Sequence, residues 1–384
     1  MGEGMDFSYG EDLEAIRQTA REVAEREVAP FAAAFDREER FPEAPMRRFA
    51  ELGFLGMLIP EEHGGMNLGN LALAVVLEEI NRACASTGVT LSVHNSLLGS
   101  PIVRFGNEEQ KRRYLPRVAS GEILGAYALT EPNAGSDAGA MRTRAERRGD
   151  RFVLNGTKIW ITSGDRAGLV VVYAKTDPAA PRGKGISAFL VEPSFRGFRA
   201  GKKESKTGIR GSSTVELLFE DCEVPEANLL GTLHEGFKIA MDTLDGGRIG
   251  IGAQAVGIGR ACLEASIKYA KERVQFGQPI ANFQAIQFKV ADMGTELDAA
   301  RLLVHRAAWL RDRGARCTRE AAMAKSFASR ACNRAADEAV QIHGGAGYTT
   351  EFPVERYLRD ARITEIYEGV TDIQRIVIAR ALLQ

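Results

Sequence analysis

The strongest constraint on this chain is that its hydrophobic period changes twice. From Glu11 to about Glu122 apolar residues recur at helical spacing. Leu13, Ile16, Ala20, Val23 and Ala24 sit among charges, and Leu71 to Ile80 forms another apolar face. Between about Ile123 and Leu230 the period shortens and β-branched residues take over. After about His234 helical spacing returns, with long alanine-rich stretches around Ile249–Glu272, Gln284–Asp312 and Thr318–Ile342. Each period buries its apolar side against a different kind of neighbour, so three packed units are expected. We read a mostly α, α+β chain with an N-terminal helical domain over 1–122, a middle antiparallel β-domain over 123–232 and a C-terminal helical bundle over 233–384.

Within the middle unit, Phe152-Val153-Leu154 and Ile159-Trp160-Ile161-Thr162 flank Asn155-Gly156, a pair that tolerates positive φ and predicts a hairpin turn. Leu169 to Tyr173, Ile186 to Val191 and Thr214 to Phe219 are further strands, with no helix between them, which predicts an antiparallel sheet or barrel. Near the end, Thr371 followed by Gln374 predicts a capping box opening a last helix.

Bulk properties exclude several classes. The 384 residues carry a formal net charge of −1, which removes the case for a strongly basic nucleic-acid binder. The five cysteines are scattered, with no CxxC pair, and suit a reducing compartment. The five histidines form no HExxH or other cluster, so no metal site is expected. No segment reaches the roughly 18 apolar residues that span a bilayer. The opening Met1-Gly2-Glu3-Gly4-Met5-Asp6 lacks a signal-peptide pattern, and a cytoplasmic location is expected.

Gly250-Ile251-Gly252-Ala253-Gln254-Ala255 fits a dinucleotide fingerprint on paper, but that motif needs a strand entering a tight turn. The preceding Gly236 to Leu244 reads as helix, so the glycines are expected to permit close helix packing. Four other stretches are candidates for chemistry. Ala128-Leu129-Thr130-Glu131-Pro132-Asn133-Ala134-Gly135-Ser136-Asp137 offers backbone and hydroxyl groups to a hydrogen-bond-rich ligand, or is only a turn. Trp160-Ile161-Thr162-Ser163-Gly164 places an aromatic face and a hydroxyl two residues apart on a strand, or holds a core tryptophan. Gln341-Ile342-His343-Gly344-Gly345-Ala346-Gly347-Tyr348 could admit a pyrophosphate against bare backbone, or simply cap a helix. Ile366-Tyr367-Glu368-Gly369-Val370-Thr371-Asp372 carries a glutamate ahead of a helix start, ordinarily a solvated position.

Together, the LTEPNAGSDAG, WITSG, QIHGGAGY and RDARITEIYEG segments resemble the acyl-CoA dehydrogenase family in order and approximate spacing, over essentially the whole chain. The likeness is nearest to the short-chain, butyryl-CoA type, through the GKGISAFLVE, GIRGSST, LDGGRIGIGAQAVGIG and AAMAK stretches. The resemblance implies FAD as cofactor, with the flavin between the β-domain and the C-terminal helices. Tyr127, Leu129, Thr130, Gly135 and Ser136 would contact it, Trp160 would lie beside the ring and Thr162 would bond near flavin N5. Arg273, Gln275, Phe283 and Gln284 would serve one flavin, while Gln341, Gly344 and Gly345 serve from a partner subunit. Thr371 and Gln374 would complete the site near the base.

By the same resemblance Glu368 removes the α-proton of an acyl-CoA, the β-hydrogen passes as hydride to flavin N5, and a trans-2-enoyl-CoA results. The Glu368 backbone N–H and a flavin hydroxyl would hold the thioester oxygen. Ser136, Asp245, Arg248, Gln254, Thr364 and Gly369 would line the substrate, with Gln254 and Thr364 closing the pocket at about four carbons. Relatives with the base ahead of the bundle arginine have a carboxylate where this chain has Gly247. Val370 replaces the threonine usual after Glu-Gly and removes a hydroxyl near the base. The resemblance further implies fatty-acid β-oxidation, a homotetramer built as a dimer of dimers, and electron-transferring flavoprotein as acceptor. Two other readings differ in kind: an acyl-CoA oxidase that uses oxygen, and a non-catalytic paralogue that binds flavin or acyl-CoA.

Overall fold

A computed structural model describes residues 9–384; the reading of Met1 to Asp6 lies outside the described residues. The chain opens with seven α-helices: α1 Glu11–Val23, α2 Ala32–Arg37, α3 Glu43–Glu51, α4 Gly69–Ala83, α5 Ala85–Ser92, α6 Ser100–Phe105 and α7 Glu108–Ala119. The capping box in this unit belongs to α7. The Asn107 side chain accepts from the Gln110 N–H, and the Gln110 side chain accepts from the Asn107 N–H.

Eight strands follow: β1 Leu124–Ala128, β2 Arg144–Arg148, β3 Arg151–Thr162, β4 Ala167–Lys175, β5 Ile186–Val191, β6 Phe198–Lys203, β7 Thr214–Pro225 and β8 Leu229–Leu230. They form one sheet in the order β6-β7-β3-β2-β4-β5-β8, with β1 alongside β4. Most pairings are antiparallel, as the missing helices predicted, but β1 pairs β4 in parallel and Arg144 of β2 bridges Lys175 of β4 in parallel. The parallel pairing of β1 is a correction to the purely antiparallel expectation.

The hairpin expected at Asn155-Gly156 does not form. β3 runs unbroken through both residues, and its register against β7 shifts between Leu154 and Gly156. The glycine makes a bulge, because a Cβ there would lie 2.4 Å from the Thr143 hydroxyl. The turn comes earlier, at Gly149-Asp150, where Gly149 takes φ 64° and Arg148 pairs with Arg151.

The bundle contains α8 Gly236–Glu272, a two-stranded ribbon of β9 Val274–Gln275 and β10 Gln278–Pro279, then α9 Gln284–Asp312, α10 Thr318–His343, α11 Val354–Arg362 and α12 Thr371–Leu382. Helices α8 and α10 run parallel. Thr318 meets Asp245 near one end, and the Tyr269 and His343 rings stack at 4.2 Å near the other. Glycines make the close approach possible. A Cβ on Gly252 would meet Val304 of α9 at 2.8 Å, and one on Gly259 would meet Leu297 at 2.4 Å. On the opposite side, Gly250 faces Ser92 at 2.4 Å and Gly257 faces the Glu78 carbonyl at 2.5 Å. The fingerprint-like segment is therefore a helix interior pressed between two layers, as its helical lead-in predicted.

Candidate active site

Glu368 sits in the short link between α11 and α12, at the junction of all three units. Its φ is 50° and that of Gly369 is 93°, so two successive residues take the left-handed region. A non-glycine residue there is held only by surroundings that over-determine it. Gln374 of α12 donates to the carbonyls of Glu368 (3.3 Å) and Gly369 (2.9 Å). The φ of Gly369 favours glycine there, and a Cβ would also lie 2.6 Å from the Gln374 amide nitrogen. Lys325 of α10 also donates to the Gly369 carbonyl, at 2.6 Å.

The Thr371–Gln374 capping box is absent. Val370 occupies the N-cap without a side-chain bond, Thr371 is the first helical residue, and its hydroxyl donates to the Glu365 carbonyl at 3.3 Å. Gln374 turns toward the Glu368 turn instead of the N-cap amide. Val370 cannot cap, so the expected reciprocal pair has no partner.

Among the described residues the buried Glu368 Oε2 atom has no hydrogen-bond partner, and neither do Arg248 Nε and Gln374 Oε1. Unpaired buried polar atoms are costly in a finished interior, and their clustering marks groups aimed at a ligand. Burial pushes the Glu368 carboxyl up to about 7, against the opposing pull of Lys325 and Arg248. Arg248 is itself buried and donates to Asp245 at 2.6 Å, while Thr318 donates to the other Asp245 oxygen at 2.6 Å.

Beyond the carboxylate the wall is closed by Tyr367, whose hydroxyl donates to Gln254 Oε1. Gln254 donates in turn to the Ala85 carbonyl at 3.3 Å. Thr364 is fully buried and tied by its hydroxyl to the Ala361 carbonyl at 2.7 Å. Tyr127 of β1 also faces Glu368 electrostatically. Asp245, Arg248 and Gln254 thus come from α8, Thr364 and Gly369 from the link between α11 and α12, and Thr371 and Gln374 from α12.

The β-domain contributes a second surface. Trp160 lies at a break in the β3 register, with φ 60°, and is 57% exposed, so the core-tryptophan alternative does not hold. The Leu129 and Thr130 carbonyls are occupied within the domain, by Lys158 Nζ at 2.9 Å and the Ile159 N–H at 2.9 Å. Ser136 is exposed, and a Cβ on Gly135 would meet nothing within 4 Å.

Arg273, Gln275, Phe283, Gln284, Gln341, Gly344 and Gly345 do not join this cluster. Arg273 is 25 residues along from Arg248, roughly 38 Å at 1.5 Å per residue if the axis is straight. The Tyr269–His343 stack brings that end of α8 beside the Gln341–Gly345 segment. Both groups of residues thus lie toward the same end of the bundle, away from Glu368. Gly344 takes φ 60° as the C-cap of α10, so the capping alternative is also met there.

Sequence reasoning missed two groups. Lys158 and Glu131 form a buried ion pair at 2.8 Å, and Glu131 also accepts the Arg142 and Thr143 N–H groups at 2.6 and 3.0 Å. Lys325 is the other. Its signal was a lone lysine on a helix face whose neighbours Ala321, Ala322, Ala324 and Ala328 are all buried.

A buried, unpaired carboxylate where a sheet meets a helical bundle defines an enzyme site. Models of the acyl-CoA dehydrogenase N-terminal, middle and C-terminal domains match residues 10–122, 126–222 and 234–383. The mouse short-chain specific acyl-CoA dehydrogenase, mitochondrial, is 53% identical over 374 residues, covering 97% of this chain and 90% of the relative. The structure of butyryl-CoA dehydrogenase from Megasphaera elsdenii superposes with a TM-score of 0.97 at 43% identity, covering 99% of this chain and 100% of that one. A structure from Acidaminococcus fermentans, described in terms of its electron transferring flavoprotein and flavin-based electron bifurcation, also superposes with a TM-score of 0.97, at 50% identity and with 99% and 100% coverage. The chain belongs to the acyl-CoA dehydrogenase family, and is thereby a flavin-dependent oxidoreductase acting on acyl-CoA. Among the described residues no helix is long and apolar enough to cross a membrane.

Proposed function

We propose that this enzyme dehydrogenates short-chain acyl-CoA thioesters to trans-2-enoyl-CoA, with Glu368 as the base that removes the α-proton. The observation that carries this reading is the buried, partnerless Glu368 Oε2, whose carboxyl is raised to about 7. An α-C–H beside a thioester is weakly acidic, and a desolvated carboxylate is a stronger base than one in water. Among the described residues the Glu368 N–H finds no backbone acceptor, and it is the donor we assign to the thioester oxygen. Asp245 and Arg248, locked to each other, would hold the CoA portion.

The residues present fit FAD. Gln374 Oε1 is orphaned near the carboxylate, Trp160 offers an exposed ring face, and the backbone at Gly135, Gly344 and Gly345 is open to close approach. Tyr127, Leu129, Thr130, Gly135, Ser136, Trp160, Thr162, Thr371 and Gln374 would hold the flavin half. At the far end of the bundle, Arg273, Gln275, Phe283 and Gln284 would serve the dinucleotide half of one flavin cofactor, while Gln341, Gly344 and Gly345 would serve from a partner subunit. When bound, FAD supplies the two-electron acceptor at N5 for the hydrogen leaving the β-carbon. A homotetramer built as a dimer of dimers is the assembly we infer.

A short acyl chain is supported by the Tyr367–Gln254 and Thr364 wall and by the names of the short-chain and butyryl-CoA relatives. Electron-transferring flavoprotein is the acceptor we infer, supported by the description of the Acidaminococcus structure. The buried, unpaired cysteines are in keeping with a cytoplasmic location, and fatty-acid β-oxidation with the reaction. Anaerobic titration of the holoenzyme with saturated acyl-CoAs of increasing length tests the reading through the flavin band. Bleaching is expected to be strongest with butyryl-CoA and absent in Glu368→Gln. Bleaching that survives in Glu368→Gln would remove Glu368 as the base.

A further inference from the structure

Lys325 is one of the most deeply buried lysines in the chain and has no part in the mechanism so far. It lies on α10, 1% exposed, among buried alanines. Among the described residues no carboxylate lies within 4 Å of it, so it is not half of an ordinary ion pair. Its hydrogen bond goes to a backbone carbonyl, that of Gly369, at 2.6 Å. That carbonyl follows directly on Glu368, in the two-residue left-handed turn whose other anchor is Gln374.

Burying an ammonium against a single carbonyl is expensive unless a nearby negative charge offsets the lost hydration. Three charges act on Lys325: Glu368 and Glu365 favour its charged form, and Arg248 opposes it. The groups that face Glu368 are Lys325 from α10, Arg248 from α8, Tyr127 from β1 and its own neighbour Tyr367. Arg248 is already paired with Asp245, which leaves Lys325 as the cation that no carboxylate neutralises at close range.

We propose that Lys325 is the positioning residue of the base: its ammonium clamps the Gly369 carbonyl, fixing the turn that aims Glu368. The proposal rests on the reading of Glu368 as the base. The charge of Lys325 also favours the ionised carboxylate: burial raises Glu368 to about 7, and Lys325 is the leading influence in the other direction. Burial brings Lys325 itself down to about 8, which leaves it charged at neutral pH.

The test uses FAD-loaded enzyme and three variants. Lys325→Met removes both donor and charge, Lys325→Gln retains a donor without charge, and Lys325→Arg retains the charge. The Glu368 titration is read in two ways. One is the acid limb of kcat/KM against pH, and the other is the infrared band of the protonated carboxyl, identified by its loss in Glu368→Gln. The second does not depend on turnover. Lys325→Met and Lys325→Gln are expected to move the midpoint upward by about one pH unit, the order produced by losing a nearby opposite charge. Lys325→Arg is expected to hold it near the native value, even where a bulkier head lowers kcat. A midpoint unmoved in the neutral variants, or moved equally in Lys325→Arg, would overturn the proposal and leave Lys325 as packing. If instead Glu368→Gln still bleaches with substrate, the base reading fails while the infrared midpoint still reports what Lys325 does to that carboxyl.

Discussion

A Cβ built on Gly247 of α8 would lie 2.0 Å from Glu368 Oε2, and 2.9 Å from the Leu97 side chain. The two positions share one space: a side chain at 247 would require the end of the Glu368 side chain to shift. The glycine at 247 leaves the Glu368 carboxylate room to hold the position it takes.

Gly247→Ala should test this directly. The methyl group would push Glu368 off its position at a cost of about 1–3 kcal/mol, as overpacking does in rigid interiors. A fall in kcat/KM of roughly 10- to 100-fold is expected, with FAD content and melting temperature little changed. Unaltered kinetics would mean that the carboxylate works from a different rotamer.

The pH profile should carry the signature of Glu368. Its carboxyl is raised to about 7, and only the ionised form can accept a proton. Below that value kcat/KM is expected to rise about tenfold per pH unit, and to level off above it. Stopped-flow flavin reduction across pH checks the slope. A flat profile down to the range of ordinary carboxylates would contradict the buried environment.

Asp360 makes a stability prediction with a definite sign. It is buried, it accepts the Ile209 N–H at 2.5 Å, and burial raises its carboxyl from 3.8 to about 7. The folded form thus holds a proton that the unfolded chain releases. The associated stability is complete below about pH 4 and is lost as pH rises through about 7. Asp360→Asn keeps an acceptor and removes the titration. Its melting temperature, relative to the native enzyme, is expected to climb from about pH 4 to about pH 7 and then hold. A difference that ignores pH would show that Asp360 ionises without penalty.

The Lys158–Glu131 pair should matter more for the fold than for the chemistry. Burial brings Lys158 down to about 8 while Glu131 pushes it up, and the lysine also ties down the Leu129 carbonyl. Lys158→Met leaves Glu131 buried and half-satisfied, with an expected loss of about 3–5 kcal/mol in urea unfolding. FAD content should fall with it, since the 129–136 loop is the segment released. The double variant Lys158→Met with Glu131→Gln should recover part of the loss.

Local patterns carried the architecture further than the site. The bounds of α9 and β5 follow from apolar pattern alone, because α9 buries one face along its length and β5 is an unbroken run buried on both faces. Asn155-Gly156 misled because the same dipeptide that turns a hairpin also fits a bulge, and only the position of Thr143 decides between them. The parallel β1–β4 pair has no local sign, since parallel partners must be distant in sequence. Glu368 reads locally as a loop carboxylate, and only its family context marked it. Lys325, Lys158 and Asp360 act across 44, 27 and 151 positions of sequence, distances over which spacing carries no information.

The glycine-rich middle of α8 bears on how the molecule comes to exist. Six glycines fall between positions 246 and 259. Each disfavours helix by about 1 kcal/mol relative to alanine, so roughly 6 kcal/mol oppose this segment before anything packs on it. An isolated peptide of this sequence would be mostly unstructured there, and so would a nascent chain still lacking α9 and α10. The longest helix in the protein is a product of its assembled core, and its nucleus must lie elsewhere.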